Sequence, residues 1–310
     1  MKMHRGRLAT LLRAACVGLA EQAQHGTVDL GRYRTSYVRW GEGPCLVWVH
    51  GLGDTYRTFT MPMYLLHKEY TSIAYNQPTG DGDGARLRHY GHKQLVEDLF
   101  RLLDRLHVDQ ALLAGYSFGS TVVLRALYEQ PERFIVGALI CGFAHRPLKR
   151  WEWWLAWLAR TWLGPVERLP YRNAIMRKAH FEPFLEAGPE AWEFFLQCTG
   201  STPIRAMAHW ALELHRTDVR PVLPHIRTPV LVLCGEKDVL VPFSCQELFL
   251  KRLPHAAFFR IDGCGHFPTF SHPVALARAL HEFTCAVNAS RCLRDGDADK
   301  LPSAVARRGR

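Results

Sequence analysis

Gly115-Tyr116-Ser117-Phe118-Gly119 stands between two segments of opposite character. Before it, Ala111–Ala114 is a short apolar run of the kind buried on both faces of a parallel sheet. After it, residues 117–129 carry helical spacing that stops near Pro131. A G-x-S-x-G pentapeptide is a weak signal by itself, because three fixed positions recur by chance. At a strand-to-helix turn it means more. The glycines let backbone approach backbone, and the turn lifts the serine hydroxyl clear at the C-terminal edge of the sheet. The helix start directs amide N–H groups toward negative charge that develops there.

Working outward, the same strand–helix rhythm extends in both directions. Arg32–Trp40 alternates and is rich in Tyr, Thr and Val, and Cys45–Val49 is a continuous apolar run. Thr71–Tyr75 and Phe134–Ile140 read as further strands, and residues 92–106 place Leu95, Leu99, Leu102, Leu103 and Leu106 at helical spacing. After about residue 143 the rhythm breaks into helical stretches with no strand-like run, and it resumes near Pro221. Pro229–Leu233 and Ala257–Ile261 then read as strands, Cys245–Arg252 and Pro273–Val287 as helices. The expected fold is α/β, a doubly wound, mostly parallel sheet with an inserted helical cap. The core takes residues 30–143 and 221–288, the cap residues 144–220. Residues 1–29 form a leader, helical or disordered, and residues 289–310 a disordered basic tail.

A serine hydroxyl is a poor nucleophile until a base takes its proton. His266, in Asp262-Gly263-Cys264-Gly265-His266-Phe267-Pro268, follows the strand ending at Ile261 and so lies at the same sheet edge as Ser117. A histidine in that role needs a carboxylate to hold its tautomer. Asp238, in Gly235-Glu236-Lys237-Asp238, follows the strand ending at Leu233. The expected catalytic residues are therefore Ser117, Asp238 and His266. His209, His215 and His255 have no comparable placement.

These motifs together resemble the α/β-hydrolase superfamily, in its capped branch of esterases, carbon–carbon bond hydrolases and proline iminopeptidases. The resemblance covers residues 30–143 and 221–288. His50-Gly51-Leu52-Gly53 is similar to the family's HG-x-G loop. It implies that the backbone amides of Leu52 and Phe118 form an oxyanion hole. Two positions depart from the family pattern. Asn76-Gln77-Pro78-Thr79-Gly80-Asp81-Gly82 replaces an Asp-x-x-Gly-x-Gly loop, and Ser120 stands where a further glycine is common. Relatives that use aspartate at the elbow, the haloalkane dehalogenases and epoxide hydrolases, are excluded by Ser117. No acid occurs at residues 141–144, so Asp238 has no rival at the family's alternative acid position.

The cap segment carries Trp151, Trp153, Trp154 and Trp157, with Trp162 following. Trp151, Trp154, Leu155, Leu158 and Trp162 share one helical face. That face can pack onto the core, line an apolar cleft over Ser117, or touch a membrane surface beside Lys149 and Arg150. Tyr116, Trp151, Trp154 and Phe267 are the expected substrate contacts.

The net charge is +10, from 39 basic and 29 acidic residues. The excess sits in residues 1–34, 144–220 and 290–310, and the remainder balances, so no basic stripe crosses the body and nucleic acid is not an expected partner. Nine cysteines without paired spacing imply neither a zinc site nor a redox motif, and this usage points to a reducing, cytoplasmic compartment. Met1–Arg7 is basic and Leu8–Ala20 mostly apolar, as in a secretory signal, but Arg13 interrupts the run and an amphipathic helix fits better. Asp81-Gly82-Asp83-Gly84 and Asp295-Gly296-Asp297-Ala298-Asp299 lack the closing glutamate of a calcium loop. No metal or cofactor is implied.

The expected activity is hydrolysis of a carboxylic ester of a small hydrophobic substrate through an acyl-enzyme. The same three residues would also serve a thioester, an amide or a carbon–carbon bond. A ligand receptor on the same fold is the non-enzymatic alternative, and it has no need of all four motifs.

Overall fold

The computed structural model describes residues 2–296, except 79–83, 85, 86, 88, 89, 163, 181, 185 and 186. Its centre is one eight-stranded sheet. The strands are β1 (Gln24–Asp29), β2 (Arg34–Trp40), β3 (Cys45–Val49), β4 (Thr71–Tyr75), β5 (Ala111–Tyr116), β6 (Phe134–Ile140), β7 (Val230–Gly235) and β8 (Ala256–Ile261). They lie in the order β1-β2-β4-β3-β5-β6-β7-β8. The first two pairings are antiparallel and the other five are parallel. The chain leaves β3 for β4 on one side and then crosses to β5 on the other. The gap between the loops after β3 and β5 is thus the switch point where open α/β sheets place their ligands.

Period-two alternation divides the core into two layers. Val47, Val49 and Leu113 point to one face, which α3 (His92–Arg105) and α4 (Gly119–Glu129) cover. Leu46, Trp48, Leu112 and Ala114 point to the other, beneath α1 (Lys2–Glu21), α2 (Thr60–Leu66) and α11 (Pro273–Gly296). α9 (Phe243–Arg252) joins the first layer through Phe249, and the short α10 (Pro268–Ser271) joins the second through Phe270.

The insertion between β6 and β7 contributes α5 (Arg150–Ala159), α6 (Arg172–His180), α7 (Pro189–Cys198) and α8 (Ile204–Arg216). Its two ends meet: the Val219 amide donates to the Ala144 carbonyl at 2.9 Å, beside a bridge between His145 and Asp218.

Two expectations at the chain ends change. The segment expected as a leader, helical or disordered, is a helix over Lys2–Glu21, with Leu12, Ala15 and Leu19 buried in the second core layer, while Gln24–Asp29 is a strand paired along β2. β1 gave no apolar signal because it is an exposed edge strand in which Val28 alone is buried. The tail does not begin at residue 289, since α11 continues to Gly296. Residues 297–310 lie outside the described residues, as do Asp81–Asp83 of the first acidic loop. Among the described residues, no helix is long and apolar enough to cross a membrane.

Candidate active site

The turn after β5 has the conformation its glycines permit. Ser117 sits at φ 51°, the left-handed region that costs an L residue strain, and its amide is tied to the Ile140 carbonyl at 2.9 Å. A Cβ on Gly115 would lie 2.6 Å from Val123 Cγ2, and one on Gly119 would collide with the Val49 carbonyl oxygen. Helix α4 can approach the sheet this closely only without those side chains. Ser120, the departure noted above, donates its hydroxyl to the Gly115 carbonyl at 2.9 Å. It faces Gly142, whose missing side chain makes the room.

Three side chains from three loops converge at this edge. His266 Nε2 lies 3.0 Å from Ser117 Oγ, and His266 Nδ1 lies 2.8 Å from Asp238 Oδ2. Asp238 Oδ1 accepts the amides of Leu240 and Val241, both at 2.9 Å. Burial alone would push its carboxyl up, but the His266 imidazole and these two amides outweigh burial and hold it below the usual carboxylate range. Tyr116 donates its hydroxyl to the His266 carbonyl at 3.0 Å, which ties the histidine loop to β5. An ionised acid at Nδ1 fixes the proton there and leaves Nε2 to accept from the serine hydroxyl. The arrangement can therefore activate Ser117 as a nucleophile.

The loop after β3 lies beside the serine. A Cβ on Gly51 would stand 3.0 Å from Asp54 Oδ2 and 3.1 Å from Ser117 Cβ. Among the described residues, the amides of Leu52 and Phe118 donate to no protein acceptor. Four hydrogen bonds brace this loop. His50 Nδ1 donates to the Gly51 carbonyl at 2.9 Å, while its Nε2 accepts the Gln77 amide at 2.9 Å. The Gln77 side chain returns a bond to the His50 carbonyl at 2.6 Å. Burial lowers the His50 pKa to about 4, so the ring stays neutral and keeps both roles. From the insertion, Thr202 Oγ1 donates to the Gly53 carbonyl at 2.9 Å.

A cavity of about 550 Å³ opens over Ser117. Leu52, Tyr116 and Phe267 line it from the sheet side, and Val166, Leu169, Met176, Phe195 and Met207 from the insertion. Tyr116 and Phe267 are thus at the cavity as expected, although both also hold the histidine loop in place. Trp151 and Trp154 are not. They belong to the exposed outer side of α5, which buries Ala156 alone, so neither lines the cavity nor packs into the core. α5 lies against α8, and it is α8 that turns Met207 and Leu214 toward Ser117.

Asp54 went unnoticed in the sequence. It lines the cavity at 3% exposure, and burial raises its pKa to about 7. A single aspartate after a glycine turn carries no sequence signal of burial. Its position one residue beyond His50-Gly51-Leu52-Gly53 was the available clue.

Among the described residues, Cys141, Asp238 and His266 form a cluster with ligand atoms within 4.8 Å of one another. They do not suit a metal ion. Burial, reinforced by the Asp238 charge, pushes the Cys141 thiol well up, and the other two side chains are already paired.

Comparison with known proteins agrees with this fold. A match to the alpha/beta hydrolase family spans residues 46–279. The chain belongs to that family. It is a hydrolase, on the family's eight-stranded, mostly parallel sheet. An uncharacterized hydrolase of Bacillus subtilis, YugF, is 24% identical over 77% of this chain and 89% of its own. A pimeloyl-[acyl-carrier protein] methyl ester esterase of Xanthomonas campestris is 32% identical over 42% of this chain and 49% of its own length. Among solved structures, a thermophilic esterase from Thermogutta terrifontis superposes with a TM-score of 0.74 at 22% identity, over 86% of this chain and 99% of that one.

Proposed function

We propose that this hydrolase cleaves carboxylic esters of hydrophobic acids through an acyl-enzyme on Ser117. His266 Nε2 takes the hydroxyl proton as Ser117 Oγ attacks the ester carbonyl carbon. The carbonyl oxygen becomes an oxyanion held by the amides of Leu52 and Phe118. Asp238 stabilises the imidazolium that forms. The tetrahedral species collapses as His266 passes its proton to the departing alkoxide, and an alcohol leaves. Water then loses a proton to His266 and attacks the acyl carbon. The carboxylic acid departs, and the serine recovers its proton.

The observation that carries this reading is the unbroken hydrogen-bond chain Ser117–His266–Asp238 at the floor of an apolar cavity. The lining supports a hydrophobic acyl group, with residues 144–220 acting as a cap. The partial match to a methyl ester esterase supports an ester over the thioester, amide and carbon–carbon alternatives.

A series of nitrophenyl esters of increasing acyl length tests it. Each buried methylene contributes about 0.8 kcal/mol, so kcat/KM should rise nearly fourfold per carbon until the cavity is filled. A flat or falling series would sink the hydrophobic reading. A fluorophosphonate that labels no serine would sink the acyl-enzyme.

A further inference from the structure

The outer side of the insertion is unlike the rest of the surface. Trp151, Trp154, Leu155, Trp157 and Leu158 of α5, with Trp162 just beyond it, are all between 41% and 61% exposed. Elsewhere among the described residues, exposed large apolar side chains stand apart or in small groups such as Phe243 with Phe258, which is ordinary for a globular surface. A cluster of this size on one helix marks a contact with something apolar.

Charge around the cluster narrows what that contact is. Residues 149–178 hold seven basic and two acidic side chains. Of the two acids, Glu152 accepts the Lys149 amide as part of the α5 cap. Lys149, Arg150, Arg168 and Lys178 are exposed, and Arg160 lies over the Trp157 ring at 5.1 Å. Protein interfaces favour tryptophan too, so the charge decides: the excess of basic side chains flanking α5 in the sequence suits the headgroup layer of an anionic bilayer. Indoles settle at that depth, while Lys and Arg reach lipid phosphates.

The cluster is also close in sequence to the cavity wall. Three residues separate Trp162 from Val166, the first of the cavity-lining residues Val166, Leu169, Pro170 and Arg172. Pro170 is itself exposed, and Tyr171, between two lining residues, is 81% exposed. The chain here passes from cavity wall to outer surface, so a bilayer against α5 lies beside the way in.

We propose that α5 and the following segment dock this hydrolase on the surface of an anionic lipid bilayer and bring the cavity opening to the acyl phase. Docking itself does not depend on the reaction at Ser117. The supply of substrate from the bilayer rests on the ester reading, and the two are tested apart.

Sedimentation of the full chain carrying Ser117→Ala, with phosphatidylcholine vesicles containing or lacking about a third phosphatidylglycerol, measures docking without turnover. Binding should need the anionic lipid and weaken as salt rises. Trp154→Ala with Leu158→Ala should lower the partition coefficient about tenfold or more, since both side chains lose apolar area on the bilayer. Arg150→Glu with Arg168→Glu should abolish the preference for phosphatidylglycerol. Circular dichroism and melting should leave both double variants folded, because all four residues are exposed. In the otherwise wild-type chain, Trp154→Ala with Leu158→Ala should spare a water-soluble butyrate ester and slow an ester dispersed in vesicles. Failure of the butyrate reaction in wild type would overturn the ester reading alone. Absence of vesicle binding, or binding indifferent to both double variants, would overturn docking. So would a concentration-dependent dimer that Trp154→Ala with Leu158→Ala dissolves, because a second copy would then cover the face.

Discussion

α5 and α8 pack against each other, and both carry tryptophan, yet their indoles live in opposite surroundings. Trp210 of α8 is wholly buried, stacked 6.2 Å from the His50 ring and 5.4 Å from Phe118. It stands behind the loop after β3 and the turn after β5. Trp154 of α5 is 54% exposed, and its ring contacts among the described residues are with Trp153 and Trp157 of its own helix. Burial therefore follows from what lies on the far side of a helix. α8 sets Trp210 against the loop after β3 and the turn after β5, whereas α5, among the described residues, packs on α8 and leaves its other side exposed. The inner side of the insertion belongs to the site, and the outer side does not.

The largest effect that would test this division comes from the floor of the cavity. Ser117→Ala should fold normally and lose roughly three or more decades of turnover, leaving only binding and charge stabilisation by the amides. Turnover within about tenfold of wild type would remove Ser117 as nucleophile and leave the inner side without a function.

Next in size is the roof. Trp210→Ala should cost about 3–5 kcal/mol in urea unfolding and lower activity as well, because the cavity it leaves lies against His50 and Phe118. A loss below about 1 kcal/mol would mean that α8 is not anchored as described.

Asp54 offers a test by pH. In the unfolded chain a carboxyl ionises near pH 3.9, whereas burial keeps Asp54 protonated up to about pH 7. Between those values the folded chain holds a proton that the unfolded chain has lost. This group's contribution to stability therefore falls as pH rises from about 4 to about 7, and it is level above that. Asp54→Asn should remove the slope. Its gain over wild type, up to about 4 kcal/mol, should be larger at pH 8 than at pH 5. Urea midpoints at the two pH values check this, and an equal gain at both would refute the burial of an ionisable Asp54.

The smallest effect belongs to the outer side. Trp154→Ala should change stability by no more than about 0.5 kcal/mol and leave the nitrophenyl chain-length profile unaltered. A steep loss of long-chain preference would return Trp154 to the cavity wall. A large drop in melting temperature would place it in a packed core.

Much of the sheet could be read from residue pattern. Cys45–Val49 and Phe134–Ile140 are strands over the full ranges their apolar runs indicate, because strands covered on both faces leave no polar position to blur the boundary, and Thr71–Tyr75 matches its expected range although it opens with buried Thr71 and Ser72. β1 escaped notice because its side chains are mostly exposed, and pairing by backbone alone writes nothing into the sequence. Helix α11 runs nine residues past the Val287 where apolar spacing ended, since a helix already nucleated on the core can extend through polar residues.

For the site, residue order and type determined which three side chains could meet. Ser117, Asp238 and His266 each follow a strand, and parallel strands deliver their C-terminal loops to one edge. What only the tertiary structure decided is everything that depends on a partner remote in the chain. Gln77 was a departure from a pattern until it bonded His50, 27 residues earlier. Asp54 takes its raised pKa, about 7, from burial in the folded chain beside the cavity. The tryptophans of α5 share a helical face by spacing alone, but spacing says only that they point the same way. Whether that way is core, cavity or solvent is settled by the element opposite, and among the described residues the outer side of α5 stays exposed.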